Sequence, residues 1–549
     1  MPVIRYENMD IYISNKEYEI LYWDEISQII KNKYFIKTEE IYDYNIIKDI
    51  LYDIFNFFCD KIDDLIKKEN RFSFYLYCIY INEGMSNIYM KQIKEKHILK
   101  IDEQDFILMR RSLKIIIEQS VKYNLIGCNN FSFEIENNIN EYIDYLDKLL
   151  LVTKEAIKIS ELIAINEHFN SSISIKYFRG NNNIKININF PYNELFKKIY
   201  LNYIYDNKDV SLSKIIYKFK EFIFKEYKIS YDNLCDFYHY LNNNNTDFTV
   251  MLLDKGINNL KNDHKLANGN FIDSFFEGIT LSKENVIETK KSIINALNQN
   301  RYIFRPILRY NIDGKIYYKI GINQWQESMC LLTINHIPFG IYPTEWKKNK
   351  ELEMFFNKYN EKFHDKELQE PITVLLNDRE IPYEIDIESF ITQNSHNINI
   401  KNDIGDIDIL FINDNNRTIY ICECKNIRFK HDYKEYKKDY DKFKAKFEPQ
   451  LERKINWANK NREIIQEHFK LRDNKIETID ILNYKIEGIF IINASTTYMY
   501  NGKYKCYTIH TFARMLDGEN VFEEIDLEYN GKDYIIEYPY FDNAGKIFI

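Results

Sequence analysis

Three acidic residues and one lysine lie close together in the C-terminal third of the chain, on two segments where polar and apolar residues alternate. The first segment carries Asp406 and Asp408, and the second carries Glu423 and Lys425. Because side chains alternate between the two faces of a β-strand, each pair is expected on one face of its strand. Carboxylates are ligands that Mg²⁺ and Mn²⁺ prefer, and a neighbouring ammonium can support charge on a phosphate. The spacing therefore predicts a centre for metal-dependent phosphodiester hydrolysis.

The segment between the two predicted strands is Asn413-Asp414-Asn415-Asn416, which has the composition of a hairpin loop. Cβ atoms of facing residues lie roughly 5 Å apart and those of diagonal neighbours roughly 7 Å, so carboxylates from the two strands can share one cation. A four-residue loop fixes the expected register. The predicted pairs are Ile412 with Arg417, Asp408 with Ile421, and Asp406 with Glu423.

These residues resemble the PD-(D/E)xK superfamily, which includes the restriction endonucleases. Its motif is an Asp, a spacer, and then (Asp/Glu)-x-Lys. Here it reads as Asp408, a spacer of fourteen residues, and Glu423-Cys424-Lys425. The flanking forms G-D-I-D-I-L and Y-I-C-E-C-K are similar to variants in the restriction, resolvase and repair branches. The resemblance covers about residues 350–520.

The resemblance implies an α/β domain with helix-strand-strand-helix-strand order, whose central mixed sheet is flanked by helices. It implies that Asp408, Glu423 and the main-chain carbonyl of Cys424 hold Mg²⁺ or Mn²⁺, and that Lys425 is the catalytic lysine. The products implied are a 5′-phosphate and a 3′-hydroxyl. Related families add a glutamate from the preceding helix and a glutamine from the following one. The candidates for these accessory places are Glu367, Glu370, Gln450 and Lys454, with Asp406 as a further accessory acid.

A second interpretation of the same residues is a solvated hairpin face, because acidic residues at alternate positions are ordinary on an exposed sheet. Asp406 fits a solvated role at least as well as metal binding. Cys422 and Cys424 are expected to pack in a core.

The stretch 425–472 carries fifteen Lys or Arg against eight Asp or Glu. Its interleaved aromatics predict either a surface that follows a phosphate backbone or an amphipathic helix whose aromatics face a core.

The chain is long enough for several domains. Residues 1–300 are predicted to be mostly α-helical, because apolar residues recur there at three- and four-residue spacing. Residues 301–346 change to an alternating pattern with a turn at Asn311-Ile312-Asp313-Gly314, which predicts a small β element or connector. Residues 347–549 form the predicted nuclease-like domain. We expect the helical region to serve recognition, oligomerisation or regulation.

The bulk composition restricts the classes of protein further. The net charge of −9 opposes binding to nucleic acid over the whole surface, although a local basic groove remains compatible with it. No apolar segment is long enough to span a bilayer, the N-terminus lacks a signal-like apolar core, and the eight cysteines are scattered. We expect a cytoplasmic, prokaryotic protein from an AT-rich genome, without a membrane partner.

The leading hypothesis is a metal-dependent endonuclease that acts on DNA, as a restriction or anti-phage defence effector. Its expected partners are DNA and either a second copy of the chain or another defence protein, since no phosphate-binding loop for a nucleotide is present. The alternatives are a structure-specific DNA repair or junction nuclease, and an inactive nuclease fold that serves as a scaffold or binding module. RNA also remains open as a substrate, because no motif reads a 2′-hydroxyl.

Overall fold

The computed structural model divides the chain into two compact units. The first comprises Met1–Asn187 and Ile215–Asn357, and the second comprises Ile188–Lys214 and Lys358–Ile549. The residues described are 3–6, 9–12, 17–35, 38–95, 103–128, 130–170, 172–178, 183–196, 214–227, 230–232, 249–253, 269–393, 396–428, 430, 433–472, 480–529 and 531–547.

Most of the described part of the first unit is α-helical, as the three- and four-residue spacing of its apolar residues predicts. In helix Tyr44–Lys68 one face is buried and carries apolar residues at helical spacing, among them Ile47, Ile54 and Phe58. Asp43 caps the N-terminus by accepting from the amides of Asn45 and Ile46. The helices are α1 (Glu17–Tyr34), α2 (Tyr44–Lys68), α3 (Phe72–Glu95), α4 (Glu103–Ser120), α5 (Phe131–His168), α6 (Lys214–Tyr227), α7 (Gly269–Gly278), α8 (Thr289–Ile294) and α9 (Ile322–Asn335), with 3₁₀ turns at Ile337–Phe339 and Thr344–Lys348.

The described residues of the first unit also form three small sheets. One pairs β1 (Val3–Tyr6) with β2 (Met9–Tyr12), and another has the order β3 (Glu40–Ile41), β5 (Ile173–Phe178), β6 (Asn183–Ile188). The third has the order β4-β9-β10-β7, with β8 also paired to β9. Its strands are β4 (Asn124–Leu125), β7 (Thr249–Leu253), β8 (Thr280–Leu281), β9 (Ile307–Ile312) and β10 (Lys315–Gly321).

The hairpin predicted within 301–346 is therefore present as β9 and β10, which pair in antiparallel register. It does not stand apart as a separate connector, because β9 also pairs with β4 and β8 and β10 with β7, all strands of the first unit. The first unit continues to Asn357, and the helix α10 (Lys350–Asp378) runs across this division.

A mixed five-stranded sheet forms the centre of the second unit, as the sequence predicts. Its order is β11-β14-β15-β16-β17, in which the pairs β11/β14 and β14/β15 are antiparallel and β15/β16 and β16/β17 are parallel. The strands are β11 (Tyr383–Ile387), β14 (Ile407–Asn413), β15 (Thr418–Lys425), β16 (Lys485–Ile492) and β17 (Cys506–Thr508).

The two faces of this sheet are covered by different helices. Leu368, Ile372 and Leu376 of α10 pack on one face with Phe512, against a core that includes Cys422 and Cys424. The opposite face is covered by a helix at Glu448–Lys460. This helix lies close to the sheet at Gly488, where an added Cβ would meet Leu451 Cγ at 2.9 Å. Cys422 and Cys424 are thus core residues, as predicted.

The basic stretch 425–472 is helical from Tyr433 to Arg472, with a break at Asn461. The helical part consists of α12 (Tyr433–Lys442), a π-helical turn at Phe443–Phe447, α13 (Glu448–Lys460) and α14 (Arg462–Arg472). Pro449 lies in the first turn of α13, which directly follows the π-helical turn, so the helix continues through this proline. Pro371 likewise lies inside the continuous helix α10.

The remaining described elements between Lys358 and Ile549 are short. They are β12 (Ser389–Ile391), β13 (Asn397–Asn399), α11 (Lys401–Ile404), α15 (Tyr498–Asn501), α16 (Ile509–Leu516), β18 (Ile525–Tyr529), β19 (Lys532–Ile536) and α17 (Tyr540–Ile547). Across the described parts of both units, we find no helix with the length and apolar character needed to cross a bilayer.

Candidate active site

The first acidic segment enters the sheet through a tight change of direction. The helical turn α11 ends at Ile404, and Gly405 adopts a φ of 81°, a left-handed conformation that favours glycine. The strand β14 begins only at Ile407, so Asp406 precedes it and is exposed, whereas Asp408 lies within the strand. Of the two acidic residues expected on this strand, only Asp408 is part of it.

The register of the hairpin differs from the prediction. Ile412 pairs with Ile419 and Leu410 with Ile421, because Asn413 extends the ladder opposite Thr418 and the turn comprises Asp414 to Arg417. Continuing this register by one pair places Asp408 directly opposite Glu423. The predicted pairs of Ile412 with Arg417, Asp408 with Ile421 and Asp406 with Glu423 are therefore wrong by two residues. A shift of two keeps every side chain on its predicted face.

On β15, Glu423 and Lys425 share the face that α13 covers. Glu423 is buried and the Lys425 side chain is 16% exposed. The neighbouring positions Cys422 and Cys424 lie in the core on the opposite face. The strand thus delivers a carboxylate and an ammonium to one side of the sheet.

The helix α13 supplies three further polar side chains to this side. Gln450, Arg453 and Lys454 stand at helical spacing i, i+3 and i+4, so they project from one side of α13. Together with the segment 402–406, they line a cleft of about 360 Å³ whose other walls are Asp408, Glu423 and Lys425. The cleft therefore joins both predicted strands and the following helix.

Direct contacts connect the charged groups of the cleft. Lys425 Nζ lies 2.6 Å from Glu423 Oε2 and 3.9 Å from Asp408 Oδ2. Lys454 Nζ contacts the other oxygen of that glutamate, Oε1. The amide of Cys424 donates to Asp408 Oδ2 at 2.6 Å. Both oxygens of Glu423 are engaged by lysines, whereas Asp408 Oδ1 has no partner among the described residues.

Burial and charge act in opposite directions on the pKa values of this cluster. Burial raises the pKa of Asp408, although the charges of Lys425 and Lys454 and the Cys424 amide partly oppose the change. Burial likewise lowers the pKa of Lys454, against the attraction of Asp408. The neighbouring charges therefore oppose the effect of burial on each group without cancelling it.

Some of the predicted accessory residues lie at the cleft and others do not. Gln450 and Lys454 line the cleft, and Asp406 lies at its exposed edge. Glu370 is exposed and does not line the cleft, because the helix that carries it packs against the opposite, cysteine-bearing face. The side chain of Glu367 lies outside the described residues.

Sequence reasoning overlooked Arg453 and Asp403, which both line the cleft. Arg453 could have been found from helical spacing, because it is three residues beyond Gln450. No comparable pattern indicates Asp403, whose place depends on the turn α11 and on Gly405.

The donor set fits a divalent cation of the magnesium type. Mg²⁺ is usually held by one or two carboxylates, and its remaining positions are filled by water and substrate phosphate. Asp408 and Glu423 provide two carboxylates on facing strands. Within the described part of the chain, no three His, Cys, Asp or Glu side chains are grouped closely enough to bind a metal by themselves. The carboxylates of Asp408 and Glu423 would therefore be the side chains that hold such a cation, and the Cys424 carbonyl stays a predicted ligand.

The aromatic residues of the basic stretch 425–472 pack inward. Phe443 stacks on Tyr498 at 4.4 Å between ring centroids, and Trp457 stacks on Phe390 at 5.0 Å. Phe447 is 9% exposed. This agrees with the core-facing alternative, and it leaves lysines such as Lys444 and Lys446 on the outside.

The chain matches no known family model, no curated protein and no solved structure. We therefore infer function from the geometry of the cleft.

Proposed function

We propose that the second unit is a metal-dependent endonuclease that hydrolyses phosphodiester bonds, with DNA as its substrate. The observation that carries this proposal is the convergence of Asp408, Glu423 and Lys425 in one cleft, from two facing strands. A buried carboxylate beside a half-buried one is costly unless cations neutralise them. Phosphodiester hydrolysis uses such a group of charges, because negative charge develops on the phosphate as it reacts.

In this proposal Asp408 and Glu423 hold Mg²⁺ or Mn²⁺, which when bound supplies a Lewis acid and lowers the pKa of its water. The Cys424 amide holds Asp408 Oδ2 in place, and Oδ1 would be the oxygen that binds the metal. Lys425 Nζ lies between the two carboxylates, where it can orient the attacking water and stabilise charge on the phosphate. Water attacks phosphorus in line, the bond to the 3′-oxygen breaks, and that oxygen takes a proton to become a hydroxyl.

The cations of α13 support a phosphate-containing substrate. Arg453 is exposed at the cleft and Lys454 lies inside it, so two positive groups face the space beside the carboxylates. Arg binds phosphate oxygens in a bidentate manner and Lys binds them as a point charge. We further propose a role as a restriction or anti-phage defence effector, with the first unit serving recognition, oligomerisation or regulation.

A second candidate function is an inactive nuclease fold that acts as a binding module. The observation that favours it is the engagement of both Glu423 oxygens by lysines, which leaves no free oxygen on that side chain. Such a scaffold needs no metal. A melting temperature that does not change with Mg²⁺ or Mn²⁺ would support the scaffold.

The experiment is a cleavage assay of the full chain on plasmid, branched DNA, single-stranded DNA and RNA, each with Mg²⁺, Mn²⁺ or a chelator. We expect cleavage of DNA that requires the metal and is lost in Glu423→Gln. The matched control is Glu452→Gln, which changes an exposed glutamate of α13 paired with Lys503. Preference for branched DNA would instead identify a repair or junction nuclease. Metal-independent cleavage, or full activity of Glu423→Gln, would reject the proposed mechanism.

A further inference from the structure

The inner part of the cleft is balanced in charge without a metal. It contains two carboxylates, Asp408 and Glu423, and two ammonium groups, Lys425 and Lys454. The side-chain exposures are 18% for Asp408, 16% for Lys425, 5% for Lys454 and 2% for Glu423. Any divalent cation that enters must therefore change an existing set of ion pairs.

The two lysines are held differently. Lys425 lies two residues from Glu423 on the same strand, contacts both carboxylates, and has its ammonium 5.1 Å from the centre of the Phe447 ring. Lys454 comes from the helix α13, and among the described residues its ammonium contacts Glu423 alone. Its long side chain can change rotamer without moving the helix. Of the two, Lys454 is the ammonium that can leave at lower cost.

We infer that the Lys454 ammonium is an internal cation, paired with the Glu423 oxygen that would otherwise bind the metal. Divalent-cation binding then displaces this ammonium toward the substrate phosphate. The inference rests on the proposed function and adds a regulatory role for Lys454. The displaced ammonium stays in the cleft while a divalent ion takes its place beside Glu423, so the net charge of the cleft rises by two. A phosphodiester anion then offsets part of this charge, so metal and nucleic acid are expected to bind more tightly together than separately.

The test compares the wild type with Lys454→Met by thermal unfolding of the full chain over a range of Mg²⁺ and Mn²⁺ concentrations. Methionine keeps much of the side-chain volume and removes the charge. Without metal, Lys454→Met should melt at or below the wild-type temperature, because Glu423 loses one counter-ion. The added stabilisation by metal should be larger in the variant, with an apparent dissociation constant lower by about tenfold or more.

The matched control is Lys460→Met, which removes an exposed lysine from the C-terminal end of α13. It should bind metal like the wild type. Lys454→Gln provides a second variant if the methionine protein unfolds too readily, because glutamine keeps a hydrogen-bond donor for Glu423. Lys454→Arg keeps the positive charge, so its metal affinity should stay well below that of Lys454→Met.

The outcomes separate this inference from the proposed function. An equal metal-induced increase in melting temperature in the wild type, Lys454→Met and Lys454→Gln would overturn the competition while leaving the metal site in place. Weaker metal binding in Lys454→Met would overturn it as well, and would make Lys454 a support of the site. Absence of any metal effect in all proteins would overturn both the inference and the metal-dependent mechanism.

Discussion

The main-chain amide of Cys424 donates a hydrogen bond of 2.6 Å to Asp408 Oδ2. The regular pairing of β14 with β15 ends at Ile409 and Cys422, and this contact joins the two strands just beyond that pair. The backbone of β15 thus orients the carboxylate of β14. Because the partner is an amide rather than a side chain, the orientation of Asp408 does not depend on a rotamer of another residue.

We predict that Gly405→Ala lowers both stability and cleavage. The φ of 81° at Gly405 places an alanine in a strained conformation, at a cost of about 1–2 kcal/mol. No atom lies within 4 Å of the added Cβ, so the effect is one of backbone strain. Since Gly405 leads directly into Asp406 and Asp408, relief of that strain should displace the acidic segment and reduce cleavage in a metal-dependent assay.

The control for this variant is Gly518→Ala. Gly518 has a φ of 84° and also has open space around an added Cβ, but it follows the helix α16 and does not line the cleft. Urea unfolding should show similar losses for the two variants, whereas cleavage should fall only in Gly405→Ala. Equal activity of both would show that the geometry at Gly405 does not govern the site.

We predict that Gly488→Ala reduces cleavage through the packing of α13. An added Cβ would clash first with Ile455 Cδ1 and would lie 2.9 Å from Leu451 Cγ, which is too close for a carbon contact. The helix must then move away from the sheet, together with Lys454 and Arg453. Overpacking of this kind costs typically about 1–3 kcal/mol.

A second substitution, Ile455→Ala, removes the side-chain atoms nearest to the added methyl group. The double variant should recover part of the lost cleavage and stability, so that the two effects are not additive. The measurement is a double-mutant cycle of unfolding free energy and cleavage rate. Strictly additive losses would contradict the close packing between Gly488 and α13.

We predict a pH-dependent change in stability from Glu83 in the first unit. Burial raises the pKa of Glu83 from 4.5 to about 8, although the amides of Asn323 and Gln324 donate to its carboxylate and oppose the rise. A raised pKa means that the folded chain binds the proton more tightly than the unfolded chain. The stability present below pH 4.5 is therefore lost progressively as the pH rises to about 8.

The variant Glu83→Gln imitates the protonated form and should remove this dependence. Unfolding free energies in urea at several pH values should show a flatter profile for the variant. The difference from wild type is limited to about 1.4 kcal/mol per pH unit for one proton. Parallel profiles would show that Glu83 does not titrate in this range.

The alternation of residues was sufficient to predict which groups share a face. It placed Asp408 and Glu423 on one side of the sheet and the two cysteines on the other, and the structure has this arrangement. It did not predict the register, because Arg417 adopts a φ of 51° in the turn, where composition indicated that Asn416 was the last loop residue. Left-handed backbone is uncommon for arginine.

The contact between Lys454 and Glu423 could not be predicted from the sequence. Helical spacing relates Gln450, Arg453 and Lys454 to one another, but it does not show which strand they meet. That depends on the π-helical turn at Phe443–Phe447 and on the close approach permitted by Gly488. Both are consequences of packing between segments distant in the chain.

The most direct test of the central claim is the cleavage rate of Lys425→Ala compared with the wild type, in Mg²⁺ and in Mn²⁺. The control is Lys485→Ala, which removes an exposed lysine at the start of the neighbouring strand β16. We predict that the wild type and the control cleave DNA at equal rates, and that Lys425→Ala keeps the fold but loses cleavage. Cleavage by Lys425→Ala at the wild-type rate would contradict the account.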